Sequence, residues 1–133
     1  MFNRDSSNDE PQEAHMLQNI PVELSGHKVL VTEAPTVKTR EGENGQPEVV
    51  TDRRTGATQF VVALFVKPRP NGEGYAGKGA EIKCTLETDP GDEVSEGDLV
   101  ELINPRVSHW ENELNGRQMS GLAWRATGIK PIA

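Results

Sequence analysis

The stretch from Val100 to Pro131 constrains the fold of this chain more than any other. Its centre is Asn115-Gly116, flanked on both sides by strand-forming sequence. Asn-Gly accepts the two positive φ angles that a two-residue hairpin turn requires, so the segment predicts a β-hairpin with its tip at those residues. Trp110 and Trp124 fall on opposite sides of the tip, and Arg106, Arg117 and Arg125 are spread along the ribbon.

From His27 onward the other segments also read as β structure. HKVLVTE (27–33) is a first strand that buries Val29 and Val31. Ala34-Pro35 opens a long excursion through residues 40–45 to TDRRTG (51–56). TQFVVALFV (58–66) is apolar on both faces, as in a strand central to a barrel or sandwich. PRPNGEGYAGKG (68–79) is a Gly-rich loop, and AEIKCTL (80–86) alternates with Ile82, Cys84 and Leu86 inward. Turn sequence follows, with room for one short helical turn near Asp92 to Ser95, and then LVELIN (99–104) leads into the hairpin. No segment carries a helical period. The pattern predicts an all-β barrel or sandwich of five or six short strands. Residues 1–19 are polar, without apolar periodicity, and read as a disordered acidic arm ahead of a domain spanning 20–133. Met16 is a conceivable alternative start.

Several function classes are disfavoured. The longest apolar run, Phe60 to Val66, is far below the roughly 18 residues of a membrane span. The single cysteine forms no disulfide framework and fits a reducing, cytoplasmic setting. His15, His27 and His109 are scattered without metal-ligand spacing, so no metal, cofactor or enzymatic activity is implied. GEGYAGKG (72–79) lacks the Lys-Ser/Thr ending and the following helix of a phosphate-binding loop. The net charge of −7 counts against a generally basic, nucleic-acid-binding surface. Residues 1–26 hold one arginine against five carboxylates, a net of −4, and the remainder holds 13 basic against 16 acidic groups, a net of −3. Any anion site must therefore be a local patch.

Basic and aromatic residues supply candidates for such a patch. Arg53 and Arg54 sit at a turn, where they are either solvated or free to meet phosphate. Lys67 and Arg69 lead into the loop carrying Tyr75 and Lys78, and Tyr75 has no core to pack in. Lys83 points outward from its strand, and Arg106 lies on the hairpin. Trp124, between Leu122 and Ala126 at strand spacing, reads as core, whereas Trp110 has polar company and suits base stacking. Arg125 shares its face with Gly121, Ala123 and Thr127, which leaves open strand surface; the alternative for it is a cross-strand ion pair with Glu101.

VELINP (100–105) with the preceding TLETDPGDEVSEGD, RRTGATQFVVALFV (53–66), EIKCTL (81–86) and LAWRATGIKP (122–131) together resemble the helicase-processivity proteins of integrative and conjugative elements. NIPVELSG (19–26) is similar to openings of small proteins from actinobacterial plasmids, and the likeness extends loosely to the filamentous-phage gene V single-stranded DNA-binding proteins. The resemblance implies a small five-stranded barrel of the oligonucleotide-binding (OB) type that binds single-stranded DNA in the replication or transfer of a mobile element. It further implies a homodimer and a helicase or relaxase of the same element as partner. On this reading Arg53, Arg54, Lys67, Arg69, Lys83, Arg106 and Arg125 contact phosphate, and Tyr75 and Trp110 stack on bases. The competing expectation is a protein-interaction or regulatory module on the same barrel with little DNA affinity.

Overall fold

The structure is a computed structural model describing residues 17–70 and 77–132 of the 133-residue chain. Ten strands form in chain order: β1 (Ile20–Pro21), β2 (His27–Val37), β3 (Thr39–Glu41), β4 (Pro47–Val49), β5 (Phe60–Pro68), β6 (Ala80–Leu86), β7 (Val100–Ile103), β8 (Arg106–Leu114), β9 (Arg117–Ala126) and β10 (Gly128–Pro131). The described residues contain no helix; the turn near Asp92 stays non-helical, with Gly91 and Gly97 at φ +68° and +94°. No helix is therefore long and apolar enough to cross a membrane among these residues.

Six strands make the main sheet, in the order β1-β8-β9-β6-β5-β2. Every neighbouring pair is antiparallel except β6 and β9, which run parallel through Cys84↔Trp124, Thr85↔Arg125 and Leu86↔Ala126. β5, apolar on both faces, lies inside the sheet between β6 and β2. The hairpin turns where Asn-Gly requires, with Asn115 at φ +55° and Gly116 at +74°. Its register is unbroken from Leu114↔Arg117 through Arg106↔Arg125 to Val100↔Pro131, so residues 100–131 form one long ribbon. The ribbon bends at Asn104-Pro105. Asn104 takes a left-handed φ of +57°, and Pro105 has no N–H to give a ladder. The Asn104 amide donates to Thr127 Oγ1 at 3.2 Å across the bend.

That bend curls the sheet. The outer half of the ribbon, β8–β9, belongs to the main sheet, while the strand leading into β7 meets the opposite edge at β2. Leu30 bridges Leu99, the Val31 N–H donates to the Asp98 carbonyl at 2.9 Å, and the Val31 carbonyl accepts the Gly97 N–H at 2.8 Å. The enclosed core contains Val29, Val31, Val62, Leu64, Cys84, Leu86, Val100, Leu102, Ala126 and Ile129, with Val94 reaching in from the turn region. Trp124 packs half-buried against it, together with Ile82 and Phe60. Cys84 is fully buried, and burial pushes its thiol up to about 12, the behaviour of a small hydrophobe.

Two regions depart from expectation. The excursion after residue 33 is structured: β2 continues to Val37, and β3 and β4 form a small hairpin with Thr39↔Val49 and Glu41↔Pro47. β2 tolerates Pro35 because register shifts between Val31 and Thr36 release the ladder there. The main sheet has six strands because the short β1 adds to the β8 edge. Of the arm expected over 1–19, residues 1–16 lie outside the described residues. Leu17 and Asn19 are already bonded to β8, the Leu17 carbonyl accepting the His109 N–H at 2.8 Å and the Asn19 N–H donating to Ser108 Oγ at 2.9 Å.

Candidate functional site

The outward face of the β8–β9 ribbon carries alternate residues: Arg106, Ser108 and Trp110 on β8, with Arg125, Ala123 and Gly121 directly across on β9. Thr85 continues this face onto β6, opposite Arg125. Small side chains at four of these positions leave a shallow floor with two guanidiniums at one end and an indole at the other. Trp110 is four residues along the strand from Arg106, about 13 Å at strand rise. Walls formed by the 38–59 excursion and by Gln18 and Asn19 turn this floor into a groove of about 790 Å³.

The groove gathers charge that the chain as a whole lacks. Lys38, Arg40, Arg53, Arg54, Arg106 and Arg125 line it, against two carboxylates, Asp52 and Glu87. The lining residues carry a net formal charge of +4, or +3 once Glu48, paired with Arg40 at 3.5 Å, is counted, in a chain whose total is −7. Such a lined cleft focuses potential on anions irrespective of the overall balance.

Local chemistry presents these cations. In TDRRTG, Asp52 Oδ1 accepts the Arg54 N–H at 2.7 Å and the Thr55 N–H at 3.0 Å, and its carbonyl accepts the Gly56 N–H at 2.8 Å. Gly56 sits at φ +77°, a conformation only glycine takes readily. The turn is fixed by its backbone, leaving Arg53 and Arg54 exposed at the rim. The Thr55 and Arg54 amides hold the Asp52 carboxyl below the usual carboxylate range. On the floor, Lys38 Nζ donates to Thr85 Oγ1 at 2.8 Å. Burial lowers the Lys38 pKa, and the Arg125 charge lowers it further.

Glu87 lies between the two floor arginines. Its Oε1 is 2.7 Å from Arg106 Nη2 and its Oε2 is 3.3 Å from Arg125 Nη1. Arg106 is held a second time, its Nε donating to the Asn104 carbonyl at 3.1 Å. Burial alone would raise the Glu87 carboxyl, but the hydrogen bonds and charges of Arg106 and then Arg125 outweigh it and hold the group below the ordinary carboxylate range. Trp110 is 39% exposed. Its indole lies over Gly121: a Cβ at that position would fall 2.8 Å from Trp110 Cζ2 and 3.0 Å from Cε2.

Of the residues expected at an anion site, the structure brings together Arg53, Arg54, Arg106, Trp110 and Arg125. Lys67, Arg69 and Lys83 are not in the groove. Lys67 pairs with Lys28 at the far end of the β2–β5 ladder from Val37↔Phe60, roughly 23 Å along the strand. Arg69 lies at that same end, its N–H donating to the Gly26 carbonyl, beside a separate 250 Å³ cavity. Lys83 shares the outward face of β6 but sits opposite Ala63, next to Glu33 and Glu96. Tyr75 lies outside the described residues. The alternative for Arg125, an ion pair with Glu101, does not form: in the ribbon register Glu101 faces Lys130, its partner at 3.6 Å, and Arg125 faces Arg106. Lys38, Arg40 and Glu87 escaped the sequence reading, since only the return of the excursion and the parallel β6–β9 contact set them beside Arg125.

No protein-family model matches the chain, and no curated protein or solved structure matches it significantly.

Proposed function

We propose that the chain is a single-stranded DNA-binding protein built on an OB-type barrel. The observation that carries this reading is the groove: six cationic side chains and an indole open to one face, set in an otherwise acidic molecule. Cations that track a backbone combined with aromatic platforms are the equipment of single-strand binders. The strand path supports the finer fold. If β7–β8 and β9–β10 are counted as two bent strands, and the two-residue β1 and the β3–β4 hairpin of the excursion are set aside, five strands remain, running β2, β5, β6, then the ribbon, with the last parallel to the third and the fourth touching the first. In OB barrels the ligand lies across the second and third strands, between the loops joining strands 1–2 and 4–5. Here the loop joining the first two strands is the 38–59 excursion, which walls the groove; Thr85 brings the third strand onto the floor, and the fourth and fifth strands supply the rest of it. A role in mobile-element replication or transfer, a homodimer and a helicase or relaxase partner extend the proposal on the resemblance alone.

A second reading, a protein-interaction module, draws on the hairpin tip, where Leu114, Met119 and Leu122 are 60, 48 and 58% exposed. Fluorescent oligo-dT and a matching duplex, each titrated at two salt concentrations, separate the two. Unpaired bases are needed for stacking, so the single strand should bind more tightly than the duplex. With three to five phosphates neutralised at about 0.7 per contact, log affinity should fall against log salt with a slope of about −2 to −4. Absence of binding to a 30-mer at low salt would sink the DNA reading in favour of the interaction module.

The Gly121–Trp110 contact supplies a sharper check. Gly121→Ala places a methyl where the indole now lies, so the ring must shift. The variant should move the tryptophan emission and weaken oligo-dT binding by several-fold, within the roughly 1–3 kcal/mol a base stack contributes. Unchanged emission and unchanged binding would show that the indole takes no part.

A further inference from the structure

Resting on the single-strand reading, we propose that Glu87 is an internal counter-anion that occupies Arg106 and Arg125 in the free protein and is displaced from at least one of them when a phosphate binds. The carboxylate spans the two guanidiniums, one oxygen to each, as a phosphate would. A guanidinium has five N–H donors, of which these contacts and the Asn104 carbonyl take two from Arg106 and one from Arg125. The arginines are therefore pre-positioned rather than inert. A phosphate that engages both, however, comes close to a carboxylate that is only partly exposed and poorly screened, and like charges at such range repel. Glu87 is fixed to the sheet, its N–H donating to the Ala126 carbonyl at 3.0 Å, so only its side chain can swing away. The consequence is a strand site that keeps its cations ordered when empty, yet holds each phosphate less tightly than two unopposed arginines would. A polynucleotide with several contacts overcomes that opposition; a lone phosphate does not.

The test compares the full chain with Glu87→Gln and with Glu101→Gln, which removes one carboxylate from the Lys130 pair remote from the groove. The Glu87→Gln change keeps the size of the side chain but removes its charge. Oligo-dT should bind Glu87→Gln about tenfold more tightly, with a salt slope steeper by about 0.7, one additional counterion released. Glu101→Gln should match the unmodified protein. Thermal unfolding of both variants establishes that they are folded. On the unmodified protein, the Glu87 side-chain carboxyl carbon resonance should shift as oligo-dT is added, which tests displacement without any substitution. Equal tightening by both variants would assign the effect to net charge and overturn the proposal. So would Glu87→Gln binding that is unchanged or weaker, or a carboxyl resonance that stays put at saturation; in these cases the single-strand reading survives. If neither the unmodified protein nor Glu87→Gln binds oligo-dT at low salt, both readings fall together.

Discussion

Leu86→Ala is expected to remove 2–5 kcal/mol from the unfolding free energy, the range found for large-to-small changes at fully enclosed sites. Leu86 has no exposed surface. It pairs with Phe60 on β5 on one side and with Ala126 on β9 on the other, so it sits where the antiparallel meander meets the parallel strand. The fixed ladders on both sides limit how far the backbone can collapse into the space left, which places the cost of the cavity towards the upper part of that range. Urea unfolding followed by tryptophan fluorescence measures it, because Trp124 packs against the same cluster. A loss below about 0.5 kcal/mol would mean that Leu86 does not occupy the core position its strand register assigns.

Leu86 also illustrates which parts of the fold are legible in the sequence. Ile82, Cys84 and Leu86 alternate with charged and polar residues at period two, and that spacing alone puts them on one face. Asn115-Gly116 announces its turn because few other pairs adopt the needed φ angles, and once the turn is fixed the whole Val100–Pro131 register follows. β3 and β4 give no such signal. Their side chains are all exposed, so their pairing rests on the backbone and leaves no hydrophobic pattern to read. Parallel pairing of β6 with β9 is equally silent, since it joins residues about forty positions apart through the curl of the sheet.

The candidate site divides along the same line. Arg106, Trp110 and Arg125 share one face because they lie on one ribbon whose register the Asn115-Gly116 turn sets. Arg53 and Arg54 were recognisable as exposed, though their nearness to that face depends on the return of the excursion, where the Lys38 and Val50 backbones bond each other and Gln59. Lys67 and Arg69 looked equivalent to them in composition but occupy the wrong end of β5. Position along a strand, unlike the choice of face, has no periodic signature. Glu87 reads as the last residue before a turn; its place between two guanidiniums emerges only when β6, β8 and β9 are assembled.

Arg125→Ala is expected to weaken single-stranded DNA binding by roughly ten- to a hundredfold and to flatten the salt dependence, whereas Trp110→Ala weakens it without changing the slope. The distinction follows from what each side chain does. A charge-assisted hydrogen bond contributes about 1.5–3 kcal/mol, or one to two powers of ten, and neutralising a phosphate releases about 0.7 counterion on a single strand. Losing Arg125 removes both terms. It also leaves Glu87 with Arg106 as its one remaining floor partner, which ties that guanidinium more firmly to the carboxylate and away from the strand. Trp110 offers a ring face and no charge, so its loss costs about 1–3 kcal/mol of stacking and no counterions. Lys67→Ala serves as the reference, because the same charge is removed roughly 23 Å along β5 from the groove end, and its binding curve should overlay that of the unmodified protein. Titrations of the three variants with oligo-dT at four salt concentrations yield the slopes. Should Lys67→Ala flatten the slope as much as Arg125→Ala, the phosphates run elsewhere on the surface; should Trp110→Ala flatten it while Arg125→Ala does not, the roles given to the two ends of the groove are reversed.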